Sequence, residues 1–349
     1  MPKESWYINE SELDDYQVQI VRRNLESSFI VKGCAGSGKT VLALWRAKEI
    51  AELGEDDYLV IVFTKALKQF IEDGIKTIGV DESRVMYFWQ WKNLANQRSA
   101  DYIIVDEVQD FDAEEIQMLQ AAANKHCIFF GDTAQQIYDG LSNKGPLLTM
   151  EQIQIATSIP MENLVINHRL KKKVARIAEL VSISRDPLEQ RCSKEGSSKP
   201  HLVHCDSLDE QLDYIQAVIQ AQGYVDVAIL FPENRDVEYA YSYFSQTGLD
   251  VERKTKRSMD LNFSTSNPKI LTYHSAKGLQ FEAVFIPNCI ASSEGDRNPL
   301  YVALTRTYRD LFILHSGNLS PFLAHIDKTL FELHDETSLG SEDSEDLPF

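Results

Sequence analysis

The feature that most limits the folds open to this chain is one short segment, Gly33-Cys34-Ala35-Gly36-Ser37-Gly38-Lys39-Thr40. It follows an apolar run at 29–31 and leads into an apolar, helix-compatible stretch at 41–45. A glycine loop between a strand and a helix presents backbone N–H groups and a helix N-terminus to phosphate oxygens. The spacing of the glycines, the lysine and the threonine is typical of a phosphate-binding loop.

The side chains of this loop predict contacts to a nucleoside triphosphate and to Mg²⁺. Lys39 is expected to reach the β- and γ-phosphates, and the Thr40 hydroxyl is expected to bind the metal ion. The residues expected to contact the nucleotide here are Gly33, Ala35, Gly36, Ser37, Gly38, Lys39 and Thr40.

A second apolar run, 103–105, ends in the two carboxylates of Asp106 and Glu107. Asp106 is expected to anchor Mg²⁺ together with Thr40, and Glu107 to orient or deprotonate the attacking water. Acidic pairs after a strand are common and usually solvated. The pair Asp106-Glu107 lies downstream of the phosphate-binding loop and continues into Val108-Gln109-Asp110. This context favours the catalytic interpretation of the two carboxylates.

Composition and charge restrict the class of protein. The chain has 349 residues, 43% of them hydrophobic and 25% charged, which is ordinary for a globular protein of about two domains. No apolar run approaches the roughly 20 residues that span a membrane, and five scattered cysteines form no C-x-x-C pair, so a cytoplasmic location is expected. The net charge of −18 argues against a broad basic face for duplex DNA, so any nucleic acid is expected in a confined groove.

Apolar, strand-like runs alternate with helical stretches in both halves of the chain, which predicts an α/β fold with parallel sheets. In open parallel sheets the ligand site lies beyond the carboxyl ends of the strands. We expect an N-terminal ATP-binding lobe at 1–160, a second lobe at 161–330 and an acidic tail at 331–349. The Ser, Gly, Asp and Glu composition near the end predicts disorder there.

The segment Asp106-Glu107-Val108-Gln109-Asp110, together with the phosphate-binding loop, resembles superfamily 1 helicases of the UvrD/Rep/PcrA type. Other segments resemble further motifs of that family in the same order: 13–17, 63–66, 131–138, 167–169, 274–281 and 301–306. The resemblance implies two RecA-like lobes, ATP as the nucleotide and an ATP hydrolase. Both large insertions of the bigger relatives are absent from the sequence, which leaves a minimal two-lobe motor.

The resemblance also implies further nucleotide contacts. Gln17 would read the adenine edge, and Gln135 would sense the γ-phosphate. Contacts are also implied for His168, where the family has a stacking tyrosine, for Gly278, and for Gln280, where it has a glutamate. Two late arginines, Arg169 and Arg306, would stabilise the negative charge of phosphoryl transfer through their guanidinium forks. The alternative for each arginine is an ordinary surface or ion-paired side chain.

Contacts to single-stranded nucleic acid are expected from the motifs and from an aromatic run at 85–91. The residues expected to touch the strand are Thr64, Lys65, Trp89, Trp91, Tyr138 and His274. Trp89 and Trp91 could stack on bases, or they could pack in the interior, as we expect for Phe88. The motif III segment lacks the tryptophan and arginine that the family tends to carry after Tyr138, which weakens the expected coupling of hydrolysis to stepping.

Two functions are compatible with these features. The first is an ATP-dependent translocase or helicase on single-stranded nucleic acid, moving 3′ to 5′ as the resemblance implies. The sequence itself does not choose between DNA and RNA, and DNA is the favoured substrate. The second is an ATP-gated nucleic-acid-binding subunit of a larger repair, defence or recombination complex, which would not unwind processively. The preserved Lys39, Glu107, Gln135, Arg169 and Arg306 favour hydrolysis in either case.

The last nine residues form an acidic run that closes in an apolar tip. This tip is similar to the terminal peptide of bacterial single-stranded-DNA-binding proteins. It could dock a protein partner, a nuclease or repair subunit among them, through Asp346, Leu347, Pro348 and Phe349. It could also cover the strand groove of this chain, or it could be an inert solubilising tail.

Overall fold

A computed structural model describes residues 7–94, 97–138, 145–184, 187–196, 198–255, 261–290 and 292–337. These residues form two compact units that divide between His168 and Arg169. Among the described helices, none combines the length and the apolar character needed to cross a lipid bilayer. The C-terminal tip at 346–349 lies outside the described residues, so its proposed docking role stays a prediction.

The first unit is built on a six-stranded parallel sheet. Its strands are β1 (Phe29–Gly33), β2 (Tyr58–Val62), β3 (Val85–Tyr87), β4 (Ala100–Val105), β5 (Ala123–Gly131) and β6 (Met161–Leu164). They lie side by side in the order β3-β2-β4-β5-β1-β6. Every pair is parallel, so the carboxyl ends of these strands and the loops that follow them share one edge of the sheet.

Helices connect the strands of this sheet. They are α1 (Asp15–Val21), α2 (Lys39–Glu52), α3 (Lys65–Phe70), α4 (Glu72–Ile78), α5 (Phe88–Lys92), α6 (Ala113–Ala121) and α7 (Met150–Thr157). Short 3₁₀ turns at Val108–Asp110 and Thr133–Gln135 follow β4 and β5. Helix α6 begins where the Asp112 side chain accepts from the Glu115 N–H and the Glu115 carboxylate accepts from the Asp112 N–H, which satisfies two terminal donors.

The second unit contains a seven-stranded parallel sheet. Its elements are α8 (Lys172–Val181), β9 (His201–His204), α9 (Leu208–Gln222), β10 (Val227–Phe231), α10 (Asn234–Thr247), β11 (Glu252–Arg253), β12 (Lys269–Thr272), β13 (Phe281–Ile286), α11 (Glu294–Leu304), β14 (Thr307–His315), α12 (Pro321–Ala324) and β15 (Glu332–Asp335). The strand order is β11-β12-β10-β13-β14-β9-β15. A separate two-stranded sheet pairs β7 (Asn167–Lys171) with β8 (Cys192–Lys194).

The two parallel sheets confirm the α/β fold class, with one RecA-like arrangement in each unit. The predicted lobe boundaries differ from the structure at both ends of the second lobe. Strand β6 adds to β1 of the first sheet, with Ile30 opposite Met161, so the first unit continues beyond residue 160. Strand β15 pairs with β9, so residues 332–335 belong to the second sheet and not to an acidic tail.

Candidate nucleotide and nucleic-acid site

The phosphate-binding loop leaves the carboxyl end of β1 and enters α2 in a conformation that depends on its glycines. Gly36 and Gly38 have φ angles of 75° and 85°, in the left-handed region that favours glycine. A Cβ on Gly33 would lie 2.3 Å from the Ser37 Oγ, so a side chain at that position would force the buried Ser37 hydroxyl to move. The loop is therefore a tight turn that keeps its backbone open to a ligand.

Lys39 lies at the start of α2 with 6% of its surface exposed. Its Nζ donates to the carbonyl oxygens of Gly33, at 2.8 Å, and Cys34, at 3.1 Å. The Ser37 Oγ is buried, and no described residue forms a hydrogen bond with it. Phosphate oxygens could accept hydrogen bonds from this buried hydroxyl and from the ammonium group that now donates to loop carbonyls. Both groups therefore fit a nucleotide at this loop.

Thr40 and Asp106 meet at the carboxyl ends of β1 and β4. The Thr40 Oγ1 donates to the Asp106 Oδ2 at 2.7 Å, and the Glu107 N–H donates to Asp106 Oδ1 at 3.0 Å. Asp106 is fully buried, and this burial, with the nearby Glu107 charge, raises its pKa to about 7. A hydroxyl and a carboxylate are ligands that Mg²⁺ accepts, and a cation here would favour the ionised carboxylate.

A chain of buried hydrogen bonds starts at Glu107. Its carboxylate Oε2 accepts from Gln109 Nε2 at 2.5 Å, and the Gln109 Oε1 accepts from the Asp132 N–H at 2.9 Å. The Asp132 Oδ2 then accepts from Gln135 Nε2 at 2.8 Å. All four side chains are buried. The structure therefore connects the predicted catalytic carboxylate to the predicted γ-phosphate sensor through two intermediate residues.

Gln109 and Asp132 received no role from the sequence, although both lie in segments that resemble helicase motifs. The segment that carries Asp132 can lie close to the segment that carries Gln109 because the residue before Asp132 is Gly131, which has no side chain. A Cβ on Gly131 would lie 2.6 Å from the Gln109 Oε1 and 2.6 Å from the Met150 Sδ. The signal in the sequence was a Gly-Asp pair directly after an apolar strand, but the pairing with Gln109 depends on neighbouring strands.

Gln17 and His168 each donate a hydrogen bond to the backbone of the phosphate-binding loop. The Gln17 Nε2 donates to the Ser37 carbonyl at 3.1 Å, and the His168 N–H donates to the Gly36 carbonyl at 2.9 Å. The His168 Nε2 also lies 2.8 Å from the Asp14 Oδ2, and Asp14 caps the helix that carries Gln17. Asp14 is a second residue without a role from the sequence, and it joins these two predicted nucleotide contacts.

In the second unit, Arg169 and Arg306 meet at Thr305. The Arg169 Nη1 donates to the Thr305 carbonyl at 3.0 Å, and the Arg306 Nη2 donates to the Thr305 Oγ1 at 3.1 Å. Arg306 is only 1% exposed, and it also donates to the carbonyls of Val302, at 2.9 Å, and Leu279, at 3.3 Å. The structure therefore brings together two arginines that lie far apart in sequence.

The contact between Arg306 and Leu279 also locates the segment 274–281. This segment forms the turn between β12 and β13. Gly278, which precedes Leu279, has a φ angle of 81°, and Gln280, which follows it, is half-buried. His274, at the start of the turn, is half-buried as well. The predicted contacts to ribose and strand thus lie on the turn that holds Arg306.

The predicted strand contacts of the first unit separate into exposed and buried residues. Lys65 is exposed and begins α3, where the Thr64 Oγ1 accepts from the Leu67 N–H at 3.0 Å. Trp89 is 45% exposed, with the Lys92 Nζ 5.0 Å from its ring centre. Thr64, Lys65 and Trp89 are therefore compatible with a role at the surface.

The prediction that Trp91 contacts the nucleic-acid strand is wrong. It is fully buried among core residues of the first sheet, and its Nε1 donates to the Arg98 carbonyl at 2.7 Å, so it cannot stack on a base. Phe88 is fully buried, as expected. Tyr138 is half-buried and packs against Phe63, with ring centres 4.9 Å apart, and burial raises the pKa of its phenol. In the described part of the run at 85–91, Trp89 is the aromatic side chain that remains exposed.

Comparison with known proteins agrees with this arrangement. Residues 17–141 match a family described as an AAA domain, and residues 269–314 match the UvrD-like helicase C-terminal domain. A probable DNA helicase of Mycoplasma pneumoniae (strain ATCC 29342 / M129 / Subtype 1) is 26% identical over 263 residues, which cover 67% of this chain and 46% of the relative. The chain thus spans less than half the length of that relative.

Two solved structures are similar to parts of this chain. The C-terminal domain of a possible DNA helicase from Lactobacillus plantarum WCFS1 is 20% identical with a TM-score of 0.39, covering 48% of this chain and 98% of that one. Arterivirus nonstructural protein 10, a helicase, is 15% identical with a TM-score of 0.47, covering 90% of this chain and 64% of that one. With matches to an AAA domain at 17–141 and to the UvrD-like helicase C-terminal domain at 269–314, the chain is similar to UvrD-like superfamily 1 helicases.

Proposed function

We propose that this protein hydrolyses ATP with Mg²⁺ and uses the reaction to move along single-stranded nucleic acid. The proposed strand is DNA, and the proposed direction of movement is 3′ to 5′. The observation that carries the proposal is the buried chain from Glu107 through Gln109 and Asp132 to Gln135. A mere nucleotide-binding site needs no such connection. A motor uses it, because the presence of the γ-phosphate must be coupled to hydrolysis before any change can be passed on to the strand.

The proposed nucleotide site uses the loop and the two acidic residues of the first unit. Lys39 would exchange its bonds to the Gly33 and Cys34 carbonyls for bonds to phosphate oxygens. Thr40 and Asp106 would hold Mg²⁺, which supplies charge neutralisation at the phosphates when bound. The exchange replaces neutral carbonyl acceptors by charged phosphate oxygens, so the ammonium group forms stronger hydrogen bonds when the nucleotide is bound.

The proposed reaction depends on Glu107 as the group that orients the attacking water and accepts its proton. Gln109 donates to one carboxylate oxygen of Glu107 and so fixes the orientation of the carboxylate. Gln135 would report the γ-phosphate through Asp132 and Gln109 to the same carboxylate.

Arg169 and Arg306 are proposed to stabilise the charge that develops on the transferred phosphoryl group. Both guanidinium groups are held at Thr305 by protein acceptors. Arg306, with three such acceptors, is fixed in direction before any phosphate is present. This pre-organisation lowers the entropy that would be lost in ordering a long side chain at the moment of reaction.

The proposed strand contacts are the exposed Lys65 and Trp89 and the half-buried Thr64, with the half-buried His274 from the second unit. A base stacked on an aromatic side chain contributes about 1–3 kcal/mol of binding free energy and requires no particular sequence. The net charge of −18 leaves little general attraction for a polyanion. Stacking on Trp89 and local bonds to Thr64 and Lys65 would therefore supply much of the affinity.

A second function, an ATP-gated binding subunit of a larger complex, is favoured by one observation. Of the two tryptophans that could serve as base platforms, Trp91 is buried and Trp89 alone is exposed. A motor that steps one base at a time uses several platforms in turn, whereas a gated clamp needs only one. Partner proteins in repair, defence or recombination would then supply the remaining strand contacts.

ATP turnover with and without single-stranded DNA, single-stranded RNA and duplex DNA tests the proposal. We expect single-stranded DNA to stimulate turnover, and we expect Lys39→Ala to abolish it. Glu107→Gln should bind ATP and cleave it about a hundredfold more slowly, because the base is lost but the binding groups are kept. Turnover that no polymer stimulates would favour the gated subunit, and full turnover in Glu107→Gln would refute the catalytic assignment.

A further inference from the structure

Two neighbouring strands at one edge of the second sheet bring three metal-ligating side chains together. Strand β15 pairs in parallel with β9, and Glu332 lies directly opposite His201. His334 lies two residues along β15, so its side chain is on the same face as that of Glu332. In the described part of the chain, this is the one group of three such residues whose ligand atoms all lie within 4.8 Å of one another.

Two of the separations between the ligand atoms lie close to those of a tetrahedral metal site. The His201 Nδ1 lies 2.9 Å from the His334 Nε2 and 3.8 Å from the Glu332 Oε2. Two ligand atoms about 2.0–2.1 Å from a tetrahedral Zn²⁺ ion lie about 3.3 Å from each other. These two distances lie on either side of that value, and the remaining pair of ligand atoms is within 4.8 Å, so side-chain shifts of about an ångström would bring the ligands into place.

We propose that His201, Glu332 and His334 bind one divalent transition-metal ion of the Zn²⁺ class, which fastens β15 to the edge of the second sheet. Two imidazole nitrogens and a carboxylate suit Zn²⁺, Co²⁺ or Ni²⁺ and do not suit Mg²⁺ or Ca²⁺, which prefer oxygen ligands. This ion is therefore distinct from the Mg²⁺ of the nucleotide site.

The surroundings hold the ligands and leave a path to solvent. The His201 ring stacks on Phe312 of β14, with ring centres 4.3 Å apart and an angle of 8° between the planes, so its orientation is fixed. The Tyr214 ring centre lies 6.3 Å from that of His334. The Glu332 side chain is 47% exposed, so an ion can enter and water can fill the fourth position.

The metal would stabilise a strand that is short and lies at a sheet edge. The backbone of β15 is held by the pairing with β9, including bonds from the Glu332 N–H to the Pro200 carbonyl and from the Glu336 N–H to the His204 carbonyl. A metal bridge between the side chains of the two strands adds a link that backbone bonds alone do not supply. Without a metal, the two imidazoles could still share one hydrogen bond, which is the competing explanation of their proximity.

Cobalt titration of the full-length protein, after treatment with EDTA and dialysis, tests the proposal. We expect one equivalent of Co²⁺ to bind with the intense visible absorption of a tetrahedral site, and Zn²⁺ to displace it. His334→Asn and Glu332→Gln should weaken binding at least tenfold. The matched control is His325→Asn, because His325 is exposed, its Nδ1 lies 2.9 Å from the Pro321 carbonyl oxygen, and it is not one of the three clustered ligands.

Hydrogen exchange provides the structural readout. Zn²⁺ should slow amide exchange at 332–336 in the wild type and in His325→Asn, and it should leave exchange there unchanged in Glu332→Gln. Glu332 is exposed, so its conservative replacement tests the site even if His334→Asn fails to fold. The proposal is overturned by weak, multiple-site cobalt binding, by equal binding in Glu332→Gln and His325→Asn, or by unchanged exchange at 332–336.

Discussion

Replacement of Gln109 by leucine tests the proposed link between the catalytic carboxylate and the γ-phosphate sensor. Leucine keeps most of the side-chain volume and removes both polar ends, one of which donates to Glu107 at 2.5 Å while the other accepts from the Asp132 N–H at 2.9 Å. A hydrogen bond to a charged group contributes about 1.5–3 kcal/mol, and a buried donor left without its acceptor costs about 1–3 kcal/mol. The free energy of unfolding should therefore fall by roughly 3–5 kcal/mol.

The same change should lower the rate of hydrolysis more than the affinity for ATP. Glu107 would lose the donor that fixes its carboxylate, while Lys39 and the loop would keep their contacts to phosphate. A positioned general base contributes about a hundredfold or more to a rate, so we expect the turnover number for ATP to fall about ten- to a hundredfold. The KM for ATP should change less than threefold.

Steady-state ATPase kinetics and thermal unfolding of purified variants measure both effects. Each kcal/mol should lower the melting temperature of a unit of this size by roughly 2–4 °C, so a decrease of about 10 °C is expected. Gln117→Leu is the matched control, because Gln117 lies on the exposed face of α6. Turnover and stability in Gln109→Leu that equal those of Gln117→Leu would refute the reasoning.

The remaining predictions concern four residues. Trp91→Ala should lower the free energy of unfolding by about 3–5 kcal/mol in urea titrations, whereas Trp89→Ala should leave stability nearly unchanged and weaken single-strand binding by about 1–3 kcal/mol in fluorescence anisotropy. Arg306→Lys keeps the charge but loses the fork, so ATP turnover should fall at least about a hundredfold while anisotropy shows strand binding within twofold of the wild type. Burial raises the pKa of Asp106 from 3.8 to about 7, so the folded state holds a proton that the unfolded state releases between those values. The free energy of unfolding in EDTA should therefore fall as the pH rises through that window, and urea titrations at pH 5 and pH 8 should show this dependence reduced in Asp106→Asn.

The parts of the fold that follow from local sequence could be predicted closely. The apolar runs before Gly33 and Asp106 are strands β1 and β4, because each is continuous, short and followed by turn-forming or acidic residues. The helix that begins at Lys39 follows a glycine loop that no other structure accommodates as well. The parallel arrangement of each sheet also follows from this alternation of strands and helices.

Other features depend on contacts between distant residues and could not be predicted from local pattern. The four-residue strand Met161–Leu164 has little apolar signal of its own and is defined by its pairing with β1. Trp91 and Trp89 have similar local sequence, and the direction each faces on the short helix α5 decides that one is core and the other exposed. The partnership of Gln109 with Asp132 requires the neighbouring positions of β4 and β5.

The central claim is that ATP hydrolysis moves this protein along a single strand. Displacement of streptavidin from biotinylated single-stranded DNA measures this directly, with biotin at the 5′ end of one oligonucleotide and at the 3′ end of another. We expect ATP-dependent displacement from the 5′ end only, and none with Glu107→Gln. ATP hydrolysis that single-stranded DNA stimulates without displacement from either end would contradict the claim and leave the gated subunit as the function.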